Sequence, residues 1–219
     1  TKTAAVILET IQGGAGFIES KNEFLLKVKQ RCLEVGALLI LDEIQTGIGR
    51  TGTFWGFENY KVLPDIIITG KGLGGGMPIG AFISSFENMS LLKENPTLGH
   101  ISTFAGHPVI SAAGVATIKE ITTKNLISFT LKKEKLIRKH LIHSSIVEIR
   151  GKGLMLTALL ETPELAAKVI HKCLENGLIL FFLLFEGRAM RITPPLTISN
   201  EEIIEGCKII LKSIDEVNG

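Results

Sequence analysis

The chain of 219 residues is 45% hydrophobic and 21% charged, and its 24 Lys and Arg against 22 Asp and Glu leave a formal charge of +2. Such a composition can bury a full core, which excludes disorder and fibrous architecture, and the small scattered charge carries no nucleic-acid or membrane footprint. A small-molecule partner is expected.

Cys32, Cys173 and Cys207 are odd in number, widely spaced and each set in an apolar helical pattern. That argues against a disulfide framework or a zinc site and for a reducing cytoplasm. The longest apolar run, residues 178–185, falls far short of the roughly 18–20 residues of a bilayer span, and the start does not read as a signal peptide. A soluble protein is predicted. The chain has no initiator Met and opens almost at once into an apolar strand pattern, so it is expected to be a piece of a longer protein.

Short apolar runs alternate with amphipathic stretches, the pattern of strands crossed over by helices in a mostly parallel α/β sheet. Strands are predicted over residues 4–9, 37–42, 65–69 and 79–85. Between the first two, Phe24, Leu25, Val28, Cys32, Leu33 and Val35 recur at helical spacing and stop at Gly36, predicting a helix over 22–35 and completing a βαβ unit. A helix follows Pro108 through the small residues 111–116, and another covers about 127–143. The pattern then changes to a strand over 147–160, a helix opened by Thr162 and Pro163 and closed by Gly177, strands over 178–185 and 189–193, and a last helix. Ser199 and Glu202 before that helix have the spacing of a capping box. Residues 1–125 are expected to belong to a large α/β domain and residues 126–219 to a smaller α+β domain, with no internal repeat or low-complexity segment.

The densest chemical signal is Leu38-Leu39-Ile40-Leu41-Asp42-Glu43-Ile44-Gln45-Thr46-Gly47, where acidic residues end an apolar strand. In open α/β sheets ligands bind off the carboxyl ends of the strands, so Asp42 is placed to meet one. Taken alone, Asp42 or Glu43 serves equally well as a cap for the following turn. A partner signal follows the next apolar strand: Thr69-Gly70-Lys71-Gly72-Leu73-Gly74-Gly75-Gly76-Met77-Pro78. Glycine costs backbone entropy and lysine resists burial, so a lysine among glycines at a strand end points to function. Glycines admit a flat ligand, and a desolvated lysine is a Schiff-base nucleophile.

Two rival readings of these segments fail. A P-loop needs Gly six positions before the Lys and Ser or Thr after it, where this chain has Asp65 and Gly72. Gly70, Gly72 and Gly75 match G-x-G-x-x-G, but a dinucleotide fingerprint needs a helix to begin within the glycines, and Pro78 with the strand-like residues 79–85 denies it one. His140 and His143, three apart on a predicted helix, lie on a lysine-rich solvated face, and no metal site is predicted.

The runs Asp42-Glu43-Ile44-Gln45-Thr46-Gly47-Ile48-Gly49-Arg50 and Thr69-Gly70-Lys71-Gly72 resemble the class III aminotransferases, the acetylornithine and ornithine aminotransferase group of fold-type I pyridoxal-phosphate (PLP) enzymes. Further similar runs are Glu9-Thr10-Ile11-Gln12-Gly13, Ser102-Thr103-Phe104-Ala105-Gly106-His107-Pro108, Arg150-Gly151-Lys152-Gly153-Leu154 and Met190-Arg191-Ile192-Thr193-Pro194-Pro195-Leu196. The resemblance covers essentially the whole chain and implies part of the large PLP-binding domain, followed by the C-terminal small domain.

What the resemblance implies is specific by residue. Lys71 would be the lysine that binds PLP and moves the proton as general base and acid, while Asp42 would keep the ring nitrogen protonated, the state in which PLP is an electron sink. Gln45 would hydrogen-bond the phenolic oxygen and Ile44 would pack on the ring, although as isolated residues they read as a turn amide and a core aliphatic. Thr103 would reach the cofactor phosphate of a neighbouring subunit, implying a homodimer with shared active sites. Arg191, on a strand where Met190 and Ile192 share the other face, would grip a substrate carboxylate through two parallel hydrogen bonds. The implied substrates are an amino donor, either an amino acid or an ω-amine, and an α-keto acid acceptor. Many members that handle ω-amino groups carry Glu after the Gln-Gly of the first run, pairing with the arginine; this chain has Gly14. The family's N-terminal phosphate loop and ring-stacking aromatic are not in the sequence, so this chain alone is expected to be inactive. The alternatives are a class III aminomutase, in which Gln45 would not be expected, and a PLP-fold remnant acting as a binding subunit.

Overall fold

The structure is a computed structural model and describes residues 2–21, 23–97 and 100–219. Along the chain run β1 (Ala5–Glu9), β2 (Ile11–Gln12), β3 (Ile18–Glu19), α1 (Phe24–Val35), β4 (Leu38–Asp42), β5 (Ile66–Thr69), β6 (Ala81–Ser84), α2 (Phe86–Ser90) and α3 (Pro108–Thr123). They are followed by α4 (Ile127–His140), β7 (Ile146–Lys152), β8 (Met155–Leu160), α5 (Pro163–Glu175), β9 (Phe181–Phe182), β10 (Ala189–Ile192) and α6 (Asn200–Asn218). Two compact units result: Thr1–Thr10, Ser20–Ile48 and Trp55–Lys124 form one, and Ile11–Glu19, Gly49–Phe54 and Asn125–Gly219 the other.

The first unit is built on a sheet of order β1-β4-β5-β6. The pairs β1–β4 and β4–β5 are parallel and β5–β6 is antiparallel. The crossover α1 starts at Phe24; Asn22, where the helical pattern begins in the sequence, lies outside the described residues. It ends at Gly36, whose φ of 70° lets its N–H turn back onto Leu33 and Cys32. Strand alternation sends Leu39 and Leu41 to one face, where they pack with Leu25 and Cys32 of α1 and with Phe57 and Val62. Each fully buried aliphatic of this kind contributes roughly 1.5–3 kcal/mol. Leu38, Ile40 and Asp42 alternate to the opposite face.

The second unit has an antiparallel sheet of order β7-β8-β10-β9. Its β8 is buried along its whole length, and Leu156, Ala158 and Leu160 pack with Met190 and Ile192 against Val169 and Cys173 of α5 and Ile203, Cys207, Ile210 and Ile214 of α6. The single strand expected over 147–160 is a hairpin. Lys152 pairs with Met155, and Gly153 turns the chain at φ 64°, a conformation that glycine adopts freely. The strand expected over 178–185 shrinks to the edge pair Phe181–Phe182, because only Met190 and Arg191 of β10 pair with it. Both helix starts read from the sequence are present. Thr162 accepts from Leu165 N–H at 3.1 Å, and Ser199 and Glu202 exchange hydrogen bonds in a capping box. Cys32, Cys173 and Cys207 are free and buried. Among the described residues no helix is long and apolar enough to cross a membrane.

Candidate functional site

The register of the first sheet places Asp42 opposite Ile68, so the parallel strands β4 and β5 open their carboxyl ends on the same edge. Past Thr69 the chain enters a tight 3₁₀ turn over Lys71–Gly74. A side chain at Gly70 would put its Cβ 3.1 Å from the Ile79 carbonyl oxygen and 3.8 Å from Ile44 Cγ1 and Cγ2, and one at Gly72 would meet Ile48 Cβ at 3.6 Å. The lysine turn therefore lies directly against the segment that follows Asp42, and a side chain at Gly70 would crowd the Ile79 carbonyl. Lys71 itself has φ 39°, a left-handed conformation uncommon outside glycine and concentrated at functional sites.

Lys71 is exposed and makes no hydrogen bond or ion pair among the described residues. Asp42 is half-buried and accepts from Ile44 N–H through Oδ1 at 2.9 Å. It does cap its turn, while Oδ2 has no donor among the described residues. A carboxylate oxygen and a primary amine, both unengaged at neighbouring strand ends, suit a cofactor with a protonated ring nitrogen and a reactive carbonyl, so the residues present fit PLP. Ile44 and Gln45 are half-buried in the same turn. Thr103 is exposed in the loop before α3.

Glu43, read from the sequence as an alternative turn cap, is instead the anchor of this edge. It is 0% exposed. Oε1 accepts from Thr10 Oγ1 at 2.5 Å and Phe57 N–H at 2.9 Å, and Oε2 from Thr46 Oγ1 at 2.8 Å and Gly56 N–H at 2.6 Å. A Cβ at Gly56 would sit 2.9 Å from Oε2, so this close approach requires glycine. Burial pushes the Glu43 carboxyl above its ordinary range, against the downward pull of these four hydrogen bonds. The consequence is a fixed backbone on both sides of Ile44 and Gln45. No sequence signal distinguishes this carboxylate from its neighbour, since the four donors come from three separate segments.

In the second unit, Met190 and Ile192 are buried in the core while Arg191 between them is half-buried and donates through Nε to Thr193 Oγ1 at 3.1 Å. No other hydrogen bond or ion pair engages its guanidinium among the described residues. Arg191, Thr193 and Pro194 line a cleft of about 300 Å³ whose other walls include Leu180, Phe181 and Ile198. Arg50 lies near Arg191 and is held by backbone carbonyls; its burial is a feature that the sequence pattern does not reveal.

Comparison with known proteins agrees with this geometry. The acetylornithine aminotransferase of Caldanaerobacter subterraneus subsp. tengcongensis is 39% identical over 221 residues, covering 99% of this chain and 54% of the relative. The leucine/methionine racemase of Thermococcus litoralis is also 39% identical, over 98% of this chain and 50% of its own length. The ornithine aminotransferase of Toxoplasma gondii, whose structure was described with partial occupancy of PLP at the active site, superimposes with a TM-score of 0.88 at 32% identity, over 98% of this chain and 51% of that one. This chain spans about half the length of the curated relatives that it matches. The sequence profile described as aminotransferase class-III matches residues 1–214, and with the α/β fold and the strand-end lysine it shows that the chain belongs to the class-III aminotransferase family.

Proposed function

We propose that the protein is a PLP-dependent aminotransferase that moves an amino group from an amino donor to an α-keto acid, with Lys71 and Asp42 carrying the chemistry. The observation that supports this most directly is the strand-end pair: β4 lies parallel to β5, so Asp42 ends one strand next to the strand that runs into the Gly70–Lys71–Gly72 turn, and Asp42 Oδ2 and the Lys71 amine are unengaged among the described residues. When bound, PLP supplies the electron sink that makes the bond to the donor's α-hydrogen breakable. Asp42 Oδ2 would hold the ring N–H, its negative charge favouring the protonated nitrogen. Lys71 would hold the cofactor, and its amine would then take the proton from the donor's α-carbon and deliver it on the cofactor side, so that the amino group stays behind when the keto acid leaves. Gln45 would hold the phenolic oxygen and Ile44 would pack on the ring. Thr103 would reach the phosphate in a partner subunit of a homodimer with shared active sites, and Arg191 would hold the substrate carboxylate by two parallel N–H···O bonds. Residues 1–125 would be part of the large cofactor-binding domain and 126–219 the small domain, in a cytoplasmic enzyme.

The test is an amino-transfer assay on the intact protein loaded with PLP. Keto-acid-dependent consumption of an amino donor, lost in Lys71→Ala, is the expected result; PLP bound at one per chain with no transfer to any keto acid would overturn it. The racemase relative supports a second reading, in which the proton returns to the same carbon from the opposite side. An amino acid that loses optical activity while no keto acid is consumed selects that reading. The aminomutase reading is not favoured by the aminotransferase and racemase relatives. The reading as a non-catalytic binding subunit predicts that Lys71→Ala changes nothing measured here.

A further inference from the structure

This inference rests on the reading of Arg191 as a carboxylate grip and adds a second residue to it. Arg50 is half-buried in the segment Gly49–Phe54 of the second unit. Its Nη1 donates to the carbonyl oxygens of Leu154 at 3.1 Å and Pro194 at 2.5 Å. No carboxylate pairs with Arg50 or with Arg191 among the described residues. Burial, and next to it the charge of Arg191, pull the Arg50 guanidinium down to about 10. Two guanidiniums within electrostatic reach of each other, one of them desolvated and neither with an acid among the described residues, are a poor choice for stability alone.

The hydrogen bonds give the pair a direction. Arg191 Nε is tied to Thr193 Oγ1, and the next residue, Pro194, is the one whose carbonyl Arg50 holds. One face of the Arg191 guanidinium is thereby fixed, and its two terminal nitrogens keep their parallel donors unengaged. Arg191, Thr193 and Pro194 line the apolar cleft; Arg50 is not among its walls.

We propose that Arg50 is a positioning and specificity residue for this site: by pinning Pro194 it orients the Arg191 fork, and by its own uncompensated charge it favours a ligand carboxylate over a neutral group. It does not touch the ligand. A carboxylate bound end-on to Arg191 would bring the one negative charge that the two cations lack, while an aliphatic remainder would meet Leu180, Phe181 and Ile198.

The experiment is calorimetric titration of the intact protein at fixed ionic strength with 4-methylvalerate, and with its neutral primary amide as control, using wild type, Arg191→Ala, Arg50→Gln and Arg50→Lys. Wild type is expected to bind the acid and not the amide, Arg191→Ala to lose binding, Arg50→Gln to weaken it about tenfold, and Arg50→Lys, which keeps the charge on a shorter side chain that does not reach both carbonyls in the same geometry, to weaken it about threefold. Equal binding by wild type and Arg50→Gln, with Arg191→Ala inactive, overturns the role of Arg50 and leaves that of Arg191 standing. No binding by wild type overturns both. Should Arg50→Gln fail to fold, by thermal unfolding, Arg50→Lys decides: affinity equal to wild type removes the positioning role.

Discussion

Thr10 donates its hydroxyl to Glu43 Oε1 at 2.5 Å, joining the end of the first strand to a carboxylate 33 positions further on. Each oxygen of that carboxylate takes one hydroxyl and one peptide N–H. A hydroxyl can turn to accept, but a peptide N–H cannot. In Glu43→Gln the side-chain NH₂ therefore faces an N–H whichever way the amide flips, and an expected loss of about 2 kcal/mol follows from the buried unpaired donors. Urea unfolding at neutral pH measures it; a loss below about 0.5 kcal/mol, the size of an ordinary surface change, would show that the network rearranges freely.

The same residue gives a pH dependence with a definite sign. Burial holds the folded Glu43 carboxyl above its ordinary value of 4.5, so the folded chain binds this proton more readily than the unfolded one. Its contribution is complete below the unfolded value and is lost as pH rises through the folded value. The stability advantage of wild type over Glu43→Gln is therefore expected to be larger at about pH 4 than at about pH 7, the Gln side chain having no proton to release. An advantage that grows toward neutral pH would mean that the four hydrogen bonds outweigh desolvation.

Thr69 carries the complementary lesson about a polar group without a partner. It is 1% exposed, and its Oγ1 has no hydrogen bond among the described residues. Valine has the same shape without the hydroxyl, so Thr69→Val is expected to stabilise the chain by about 1 kcal/mol. A fall in the unfolding midpoint would show that the hydroxyl has a partner in the protein as it works.

The sheet and its strand ends were legible in the sequence because apolar runs, the αL glycine after α1 and the Ser199–Glu202 capping box are local signals. The β7–β8 hairpin was not, since β8 is buried on both faces and its sequence runs on from β7 without an alternating pattern; only the left-handed turn at Gly153 separates them. Asp42 and Lys71 stood out by residue type at strand ends. Glu43 and Arg50 did not, because what defines them is a set of backbone and hydroxyl partners brought in from distant segments.

Lys71 is expected to be irreplaceable in the intact, PLP-loaded protein. Lys71→Ala should remove the visible absorbance of the lysine-bound cofactor and lower turnover by at least about 10³-fold, the scale on which loss of a covalent and proton-transfer group acts. Asp42→Asn should keep that absorbance while slowing turnover, because the cofactor is still held and only the protonation of its ring is weakened. Retention of the absorbance in Lys71→Ala would place the covalent link on another lysine.

Gly14 sets the last expectation, which concerns substrate choice. Its carbonyl accepts from Phe185 N–H at 3.0 Å, and a Cβ there would meet the Phe185 ring at 3.1 and 3.3 Å. Phe185 is 83% exposed, so its ring can swing into solvent and Gly14→Glu is expected to fold. The resemblance implies that many family members with ω-amine donors carry Glu at this place, where it would pair with the arginine at the position of Arg191. A glutamate neutralises the guanidinium when an amine-ended substrate is present, whereas an ungated guanidinium favours a carboxylate in both half-reactions. Gly14→Glu should therefore raise the ratio of kcat/KM for ω-amine over α-amino donors by roughly threefold to tenfold, and Arg191→Ala should raise KM for the amino-acid donor and the keto-acid acceptor together. If Arg191→Ala leaves both KM values unchanged, the arginine is structural; if Gly14→Glu folds and leaves the donor ratio unchanged, the glutamate does not reach it.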